Sequence, residues 1–580
     1  MKEDVPDKKI LKTIEALHRE RKQILAMPPE QALDRILESE EPAALVHSFP
    51  EQDLHFLIHD IGAEDALAVL SLASGKQWEY ILDMEVWQGD RVDLAAMMRW
   101  FDLLHRADAR RAAQWLISQK TEEVEFFLFK NIEVRIREHD QDPSDFGDDF
   151  FSLDGVFYIR PAGELFWSES EFGDIEKAHY REFVIKWIKS LADFDHIAYQ
   201  RLALETVHVL PAESEEEAFR LRNVRLAEKG FLAFDEAVGV YQPLKPKDLT
   251  QRSSKYISKT LTDLTMPVPV APAGMLDTDH LFTRALLRVQ DEVVVQQLQT
   301  EFAGLCNRII VADHKKIGGK TDLKQMVQKA CGYLSIGLET MAAESKDREQ
   351  PLDIYCTGII QRYPLDNIFR VGFGRALDLK WQAAKWMDTS WFARQVLPLT
   401  FWGESGLGVL GGLLIKKPLY FDNYAGGEMY RDFICVADIE QTESVLQQIT
   451  RLDHLLALMD IPRRSLSGYR FLTYKNLLLT LWAGHCIGLG RELQTLPLEA
   501  FKTFYNSLWQ TDAKPRRLRS DLPAAFLAWI AERTGLGPRD IDDPLRAILE
   551  TLFKEIEDEY GPVSAKDLEP RYIHLFLLKD

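Results

Sequence analysis

The sequence predicts a mainly α-helical protein with an N-terminal α-helical superhelical repeat, followed by further helical domains with minor β-hairpins. The first observation is the run from Pro42 to Ile136, where apolar residues recur at i, i+3, i+4 and i+7 within short segments. The second is that each segment restarts at a proline, a glycine or an acidic residue, as helix starts do. Such short helices cannot bury their apolar faces alone, so we expect them to stack into a superhelix.

Length and charge exclude several classes of protein. The chain has 580 residues, 46% of them hydrophobic, which is material for about three to five domains. A net charge of −21 argues against a nucleic-acid or anionic-membrane binder, since both polyanions would be repelled. Five cysteines, with no C-x-x-C pair, favour reduced thiols in a cytoplasm. The longest charge-free apolar stretch, residues 476–490, is shorter than the ~20 residues of a membrane span, so we expect a buried helix there.

The N-terminal elements follow from capping residues and apolar spacing. Residues 1–28 are densely charged and predict a polar leading helix, and residues 29–137 form the predicted repeat. Pro50 and Asp90 stand where helices are expected to start, because proline suits the first turn and an aspartate accepts bonds from free N–H groups. Residues 124–136 are apolar on one face, and we expect them to form the helix that closes the stack.

An acidic loop opens the next region, residues 138–242. Six acidic residues and no Lys or Arg lie between Glu138 and Asp149. Carboxylates at alternate positions of a loop could hold a hard cation. The candidate metal ligands are Asp140, Asp142, Asp145, Asp148 and Asp149. The EF-hand pattern does not fit, because Asp145 falls where glycine is required, so a solvated acidic loop is the simpler interpretation.

A hairpin, further helices and a linker are predicted beyond this loop. Asp154 and Gly155 lie between two apolar runs, the signal of a two-residue β-hairpin turn. Helical patterning resumes over residues 175–210 and 215–241. The proline-rich residues 243–274 predict a linker, and residues 275–580 a mainly α C-terminal region.

Two resemblances to known families rest on these segments. The run Leu45, Pro50, Asp53, Leu57, Asp65, Ala66 and Leu70 resembles the helical repeat of the cytosolic N-terminal domain of the MgtE magnesium-channel family. That resemblance implies short helices paired into a compact superhelix, and magnesium sensing, in a chain that lacks the channel's membrane helices. The whole chain, including Asp-Pro-Ser-Asp-Phe-Gly-Asp-Asp from Asp142 and Leu-Asp-Gly-Val-Phe-Tyr-Ile-Arg-Pro from Leu153, resembles a family of bacterial proteins of unknown function. The second resemblance implies no activity.

The second half contains a partial phosphate-binding motif. Gly319, Lys320 and Thr321 match the end of a P-loop and lie between an apolar run and a helical pattern. The first glycine of the motif would be position 314, which is His314, so the turn that cradles phosphate is not encoded. The sequence favours a turn at Gly318 and Gly319 with Thr321 as an ordinary helix N-cap.

Glycines and tryptophans crowd the segment from residue 381 to residue 411. Gly406, Gly408 and Gly411 match the G-x-G-x-x-G pattern of dinucleotide sites, but no clean strand precedes them. We therefore expect a glycine-rich loop that permits close packing. Four tryptophans nearby are spread around a helix, which favours core or interdomain packing over a stacking platform. They are Trp381, Trp386, Trp391 and Trp402.

A pair of histidines is the remaining metal candidate. His55 and His59 stand four residues apart and could share a zinc ion on one helix. Position 56 is Phe56, so the H-E-x-x-H motif is absent, and no third ligand is visible in the sequence. The expectation is a pair of surface histidines beside the core stripe.

These observations predict a non-catalytic cytoplasmic scaffold or regulatory protein, with the exposed face of the helical stack as the surface that binds another protein. No catalytic motif is found, no nucleic acid or membrane span is expected, and the cofactor and oligomeric state stay undetermined. The alternative is a metal- or nucleotide-responsive sensor or enzyme that uses the acidic loop or the turn at Gly319 to Thr321.

Overall fold

A computed structural model describes most of the chain and supports its assignment as mainly α. The described residues are 16–17, 19–21, 23–162, 174–208, 211–228, 234–249, 280–315, 317, 319–344, 350–466, 468–469, 471–510, 516–537 and 543–579. Helices dominate them, and their strands form only small antiparallel sheets, so the predicted fold class is confirmed. None of the described helices has the length and apolar character that crossing a bilayer requires.

The first half of the chain, residues 16–228, consists largely of short helices. They are α1 (Pro29–Leu37), α2 (Pro42–Ser48), α3 (Glu51–Ile61), α4 (Leu67–Leu72), α5 (Gly75–Glu85), α6 (Leu94–Ala107), α7 (Ala109–Gln119), α8 (Thr121–Asn131), α9 (Asp174–Phe194), α10 (His196–His208) and α11 (Pro211–Glu228). Prolines begin α1 and α2, and Pro50 is the N-cap of α3. A proline is tolerated there because its missing N–H would have no partner in the first turn.

Strands replace two of the expected helical segments. Asp90 lies in the turn between β1 (Trp87–Gln88) and β2 (Arg91–Val92), so it does not start a helix. Helix α6 begins later, and Asp93 caps it by accepting a hydrogen bond from the Ala96 N–H at 3.0 Å. Gly89 adopts a φ of 69° in the turn, a conformation that glycine adopts at low cost.

The second correction concerns the predicted closing helix. Helix α8 ends at Asn131, and β3 (Ile132–Ile136) follows it. This strand pairs antiparallel with β5 (Phe157–Pro161), which also pairs with β4 (Phe151–Ser152). The alternation of β-branched and charged residues over 132–136 suits a strand with one buried face. The hairpin is confirmed, although its connection is longer than two residues, because Ser152 pairs with Tyr158.

The second half, residues 234–579, contains longer helices. They are α12 (Phe234–Ala237), α13 (Leu281–Leu287), α14 (Glu292–Ala312), α15 (Lys320–Ala343), α16 (Leu352–Arg362), α17 (Leu365–Thr389), α18 (Trp391–Gln395), α19 (Gly403–Leu414), α20 (Val436–Leu458), α21 (Arg463–Leu466), α22 (Tyr474–Cys486), α23 (Leu498–Ser507), α24 (Leu522–Thr534) and α25 (Asp543–Tyr560). A hairpin of β6 (Tyr420–Phe421) and β7 (Tyr430–Arg431) precedes α20. Helix α22 is buried from Asn476 to Gly484, as expected for the first part of residues 476–490, but it ends at Cys486 and residues 487–490 lie beyond it.

Glycines allow α15 and α17 to cross closely. A Cβ atom on Gly372 would lie 1.9 Å from the Tyr333 carbonyl oxygen, and one on Gly337 would lie 2.1 Å from the Ile368 carbonyl oxygen. Backbone atoms cannot move away as a flexible side chain can, so only glycine fits at these two positions.

Two clusters of buried apolar side chains lie in the two halves. The first core draws on residues between Ile24 and Ala218. The second core draws on residues between Ala237 and Phe576, together with Phe56 from the first half. The predicted linker follows Ala237 in the chain, but residues 250–274 of it lie outside the described residues, as do residues 1–15 of the predicted leading helix. The predicted domain boundaries therefore stay predictions.

Candidate metal centre

Three side chains from two helices converge in the first half. In the described part of the chain, His55, His59 and Glu85 form the one group of three potential ligands whose donor atoms all lie within 4.8 Å of one another. The Nε2 atom of His55 lies 2.7 Å from Oε1 of Glu85, and the Nε2 atom of His59 lies 2.8 Å from the same oxygen. Two imidazoles therefore converge on a single carboxylate oxygen.

Helix α3 places both histidines on one face. Residues four positions apart lie about one turn apart on a helix, so the side chains of His55 and His59 project in the same direction. Their rings meet edge to face with centroids 4.7 Å apart. The helix ends at Ile61, and Gly62 follows it with a φ of 102°, which is open to glycine and unfavourable for other residues.

Helix α5 brings the carboxylate to the histidines. Ser74 and Gln77 form a capping box that fixes where α5 begins. The Gln77 side-chain amide also donates to the carbonyl oxygens of Val46 and Phe49, at 2.8 and 2.9 Å. These bonds tie α5 to the end of α2 and to the connection between α2 and α3. Glu85 is the last residue of α5. In the chain, one short helix, α4, separates α5 from the helix that carries the histidines.

Burial sets the protonation state of the group. The His55 side chain is 1% exposed, His59 is 23% exposed and Glu85 is 17% exposed. Burial lowers the pKa of His55, against an opposing effect of Glu85. Burial alone would raise the pKa of Glu85, but hydrogen bonds from His55 and His59 hold it below its usual range. A neutral imidazole beside an ionised carboxylate is the state in which these groups bind a metal ion.

Aromatic residues surround the group. The Trp100 indole N–H donates a long hydrogen bond, 3.4 Å, to the second oxygen of Glu85. The ring of Tyr80 meets that of His55 edge to face at 5.9 Å. The Nδ1 atom of His55 is buried without a hydrogen-bond partner. Such an unsatisfied nitrogen costs about 1–3 kcal/mol, and a metal ion on Nε2 would leave Nδ1 as an N–H group that needs an acceptor.

The donor set suits a transition metal. Two imidazole nitrogens and one carboxylate oxygen are typical zinc ligands, whereas Mg²⁺ and Ca²⁺ prefer oxygen alone. Ligand atoms around a tetrahedral zinc ion stand ~3.4 Å apart, given bonds of about 2.1 Å. The present separations of 2.7 and 2.8 Å are those of hydrogen bonds. To admit the ion, side-chain rotations must open these two by roughly 0.6 Å and also bring the two histidine nitrogens, which lie within 4.8 Å of each other, to about 3.4 Å apart.

The structure corrects the expectation of surface histidines. His55 is buried, and the third ligand comes from Glu85, thirty positions further along the chain. Sequence reasoning looked for that ligand near the histidines, where H-E-x-x-H motifs place one. The available signal was the expectation that successive short helices pack face to face, which brings the end of α5 within reach of α3.

The acidic loop places its side chains at the surface. The five candidate ligands are all exposed, and none belongs to the convergent group. They are Asp140, Asp142, Asp145, Asp148 and Asp149. The carboxylate of Asp142 accepts hydrogen bonds from the backbone N–H and hydroxyl of Ser144, at 2.9 and 2.8 Å, and caps the 3-10 turn Pro143–Phe146. Metal binding by this loop stays a prediction.

The partial P-loop lies at the start of α15. Gly319 is the N-cap and Lys320 the first helical residue, so the helix begins before Thr321, which is exposed and is not the N-cap. His314 adopts a φ of 49°, a left-handed conformation that is less unusual for histidine than for most residues. Gly318 lies outside the described residues. Nucleotide binding at Gly319 to Thr321 stays a prediction.

The G-x-G-x-x-G segment is helical. Gly406, Gly408 and Gly411 lie within α19, so the expected loop is wrong. The expected close packing is present, since a Cβ atom on Gly408 would lie 2.5 Å from the ring of Phe421. Hydrophobic contact overrides the low helix propensity of glycine here.

Three of the four tryptophans pack as expected. Trp386, Trp391 and Trp402 are buried in the second core, whereas Trp381 is 51% exposed. The rings of Trp386 and Trp402 meet edge to face at 5.8 Å, an arrangement that stabilises aromatic cores. Neither position is open to a stacked ligand.

Comparisons with known proteins give one match. A family model described as "Family of unknown function (DUF6178)" matches residues 8–579. No curated protein and no solved structure matches the chain significantly.

Proposed function

The chain belongs to the DUF6178 family of unknown function, and we propose that it is a metal-responsive protein that binds one divalent transition-metal ion at His55, His59 and Glu85. The observation that carries this proposal is the convergence of two imidazole Nε2 atoms on one carboxylate oxygen, at 2.7 and 2.8 Å. Mixed nitrogen and oxygen donors of this kind select zinc-like ions over magnesium and calcium.

The energetics of the group support metal binding. A carboxylate and a histidine that leave water lose hydration, and the hydrogen bonds between Glu85 and the two imidazoles recover only part of the loss. A divalent cation bound to all three donors would recover more. Trp100, which donates to the second oxygen of Glu85, would orient the carboxylate as the outer partners of metal ligands do.

The other predicted functions have no comparable support. No described contact identifies a partner surface on the helical repeat, so the scaffold function stays a prediction. The same holds for the likeness of the N-terminal segment to the magnesium-channel domain, whose ion prefers oxygen ligands. The metal-responsive alternative is therefore preferred, with ligands other than those expected from the acidic loop.

A cobalt titration of the full-length protein tests the proposal. Co²⁺ accepts the ligands of zinc and absorbs visible light according to the number and type of those ligands. We expect one ion per chain, and displacement of the cobalt spectrum by zinc. His59→Ala and Glu85→Gln should each weaken binding by more than about a hundredfold, because even the loss of an outer partner of a ligand costs tenfold or more.

The matched control is His47→Ala. His47 is an exposed histidine on the neighbouring helix α2, and its removal should leave the cobalt spectrum and stoichiometry unchanged. A wild-type protein that binds no cobalt would contradict the proposal. A spectrum that survives both His59→Ala and Glu85→Gln would contradict it too, because the ion would then have other ligands.

A further inference from the structure

We propose that a metal ion bound at His55, His59 and Glu85 regulates how tightly the first half of the chain docks on the second half. The inference rests on the proposed function and names what the metal controls. It comes from the position of the site, since both segments that supply ligands also contact the second half.

Phe56 is the first of these contacts. It follows His55 directly on α3, yet its side chain is 3% exposed and belongs to the second core. Among the described residues, no other residue before Ala237 joins that cluster of buried side chains. Helix α3 therefore directs His55 towards Glu85 and Phe56 into the other half. Neighbouring helical residues point about 100° apart, which makes this division possible.

Two further contacts involve the segment that precedes α15. A Cβ atom on Gly319 would lie 3.9 Å from a carboxylate oxygen of Asp60, the residue after His59. A Cβ atom on Gly89, four residues after Glu85, would lie 3.6 Å from the ring of His314. Gly319 is also the first residue of the partial P-loop, Gly319 to Thr321. His314 and Gly319 therefore lie against the two ligand-bearing segments, on the side of the second half.

The physical link is the orientation of α3 relative to α5. Replacing two hydrogen bonds by three metal bonds fixes the distance between these helices more firmly, because metal bonds tolerate little variation in length. Phe56 and Asp60 move with α3, and Gly89 follows the end of α5, so fixing the two helices fixes the surface that the second half contacts. Coupling between binding and docking is reciprocal. Loss of the Phe56 contact should therefore weaken metal binding by the same factor by which the metal strengthens docking.

Hydrogen exchange of the full-length protein with and without zinc tests the inference. We expect zinc to slow exchange at least about fivefold in peptides that span residues 309–323, the lower end of typical coupling between sites. Peptides from α25 serve as the reference for any uniform stabilisation of the second half. Zinc should slow their exchange less than it slows exchange at residues 309–323. Phe56→Ala should abolish the slowing at 309–323 and lower the zinc affinity about fivefold or more, while keeping the cobalt spectrum.

Phe126→Ala is the matched control, because Phe126 is a phenylalanine of α8 that is also 3% exposed and lies outside the second core. It should destabilise the protein without changing the zinc affinity or the slowing at 309–323. If Phe56→Ala does not fold, Phe56→Leu keeps an apolar side chain and should show a smaller loss in the same direction.

The outcomes separate this inference from the proposed function. If wild-type protein binds no metal, both fail. If it binds zinc through His59 and Glu85 but exchange at 309–323 does not change, or changes only as much as in α25, the regulation is wrong and the metal site stands. The same conclusion follows if Phe56→Ala leaves the zinc affinity unaltered.

Discussion

The group at His55, His59 and Glu85 and a second polar group around Lys329 are both withdrawn from water, but only the second contains its own cation. The Nζ atom of Lys329 lies 2.9 Å from Asp313 and 3.2 Å from Asp432. Lys417 also contacts Asp313, and the Tyr241 hydroxyl donates to Asp313 at 2.6 Å. Two lysines thus balance two aspartates, whereas Glu85 faces imidazoles that can donate hydrogen bonds while neutral.

A third group obtains neutrality from a proton. Glu125 on α8 and Glu205 on α10 share a side-chain hydrogen bond, and burial, followed by this neighbour, raises the pKa of Glu125 to about 7. Two carboxyl groups can share a hydrogen bond only if one of them is protonated. The carboxylates of these three groups are therefore compensated by lysine, by a proton or, as we propose, by a metal ion. Where a lysine already balances the charge of the carboxylates, a metal ion is not needed to do so.

The largest expected effect comes from removing the cation of the second group. Lys329→Met should lower the free energy of unfolding by about 3 kcal/mol, because Asp432 loses its ammonium partner in a largely water-excluded site, while Asp313 keeps only Lys417. Urea unfolding of the full-length protein measures the loss. Lys324→Met, at an exposed position of the same helix α15, is the control and should stay within about 0.5 kcal/mol of wild type. Equal losses in both variants would contradict the comparison.

Metal ions should act on the first group alone. Zinc, cobalt or nickel at about 100 times the dissociation constant should stabilise the native protein by about 2.7 kcal/mol. Magnesium and calcium should not, because imidazole is a poor ligand for either. Thermal unfolding with each ion measures the shift, and Lys329→Met should retain the response to zinc. A shift with magnesium or calcium that survives Glu85→Gln would instead favour the exposed carboxylates between Glu138 and Asp149.

The contrast also explains what the sequence could predict. Amphipathic spacing and capping residues determine local structure, so the helical class, the start of α3 after Pro50 and the buried helix α22 follow from nearby residues. Strand β3 was missed because residues 132–136 pair with β5, more than twenty positions away. Tertiary pairing decides such short apolar runs, and helical periodicity alone does not.

The candidate site was half predictable. The spacing of His55 and His59 put two ligands on one face of a helix, as the structure has them. The role of Glu85 depends on how α3 packs on α5. That packing cannot be predicted from the residues near the histidines in the sequence. Likewise, the sequence shows that Lys329 and Asp432 are charged but not that they meet. A single sequence is therefore least informative about which side chains from different helices come together in a cluster.

A cluster in which both carboxylates contact a second cation should be less sensitive than the one around Lys329. Lys120 is 1% exposed and lies 3.2 Å from both Asp83 and Glu123. Arg225 also contacts Asp83, at 2.7 Å. Lys120→Met should therefore cost about 2 kcal/mol, the loss of a charged hydrogen bond, since a cation remains on Asp83. Urea unfolding measures it beside Lys329→Met. A loss as large as that of Lys329→Met would show that Arg225 does not compensate.

The smallest expected effect concerns the protonated pair, and its sign depends on pH. Because the pKa of Glu125 is raised to about 7, the folded protein holds a proton that the unfolded chain releases above its ordinary carboxyl pKa. The contribution of this group is complete below that ordinary value and is lost as pH rises through about 7. Glu125→Gln removes the need for the proton. It should stabilise the protein by about 1 kcal/mol at pH 8, after allowance for solvent screening of a half-buried group, and have little effect at pH 5. Thermal unfolding at both pH values measures the difference, with Glu550→Gln, at an exposed position of α25, as the control. If Glu125→Gln stabilised the protein equally at pH 5 and pH 8, a proton would not be what neutralises this pair. Of the three kinds of compensation compared above, the one by a proton would then be wrong.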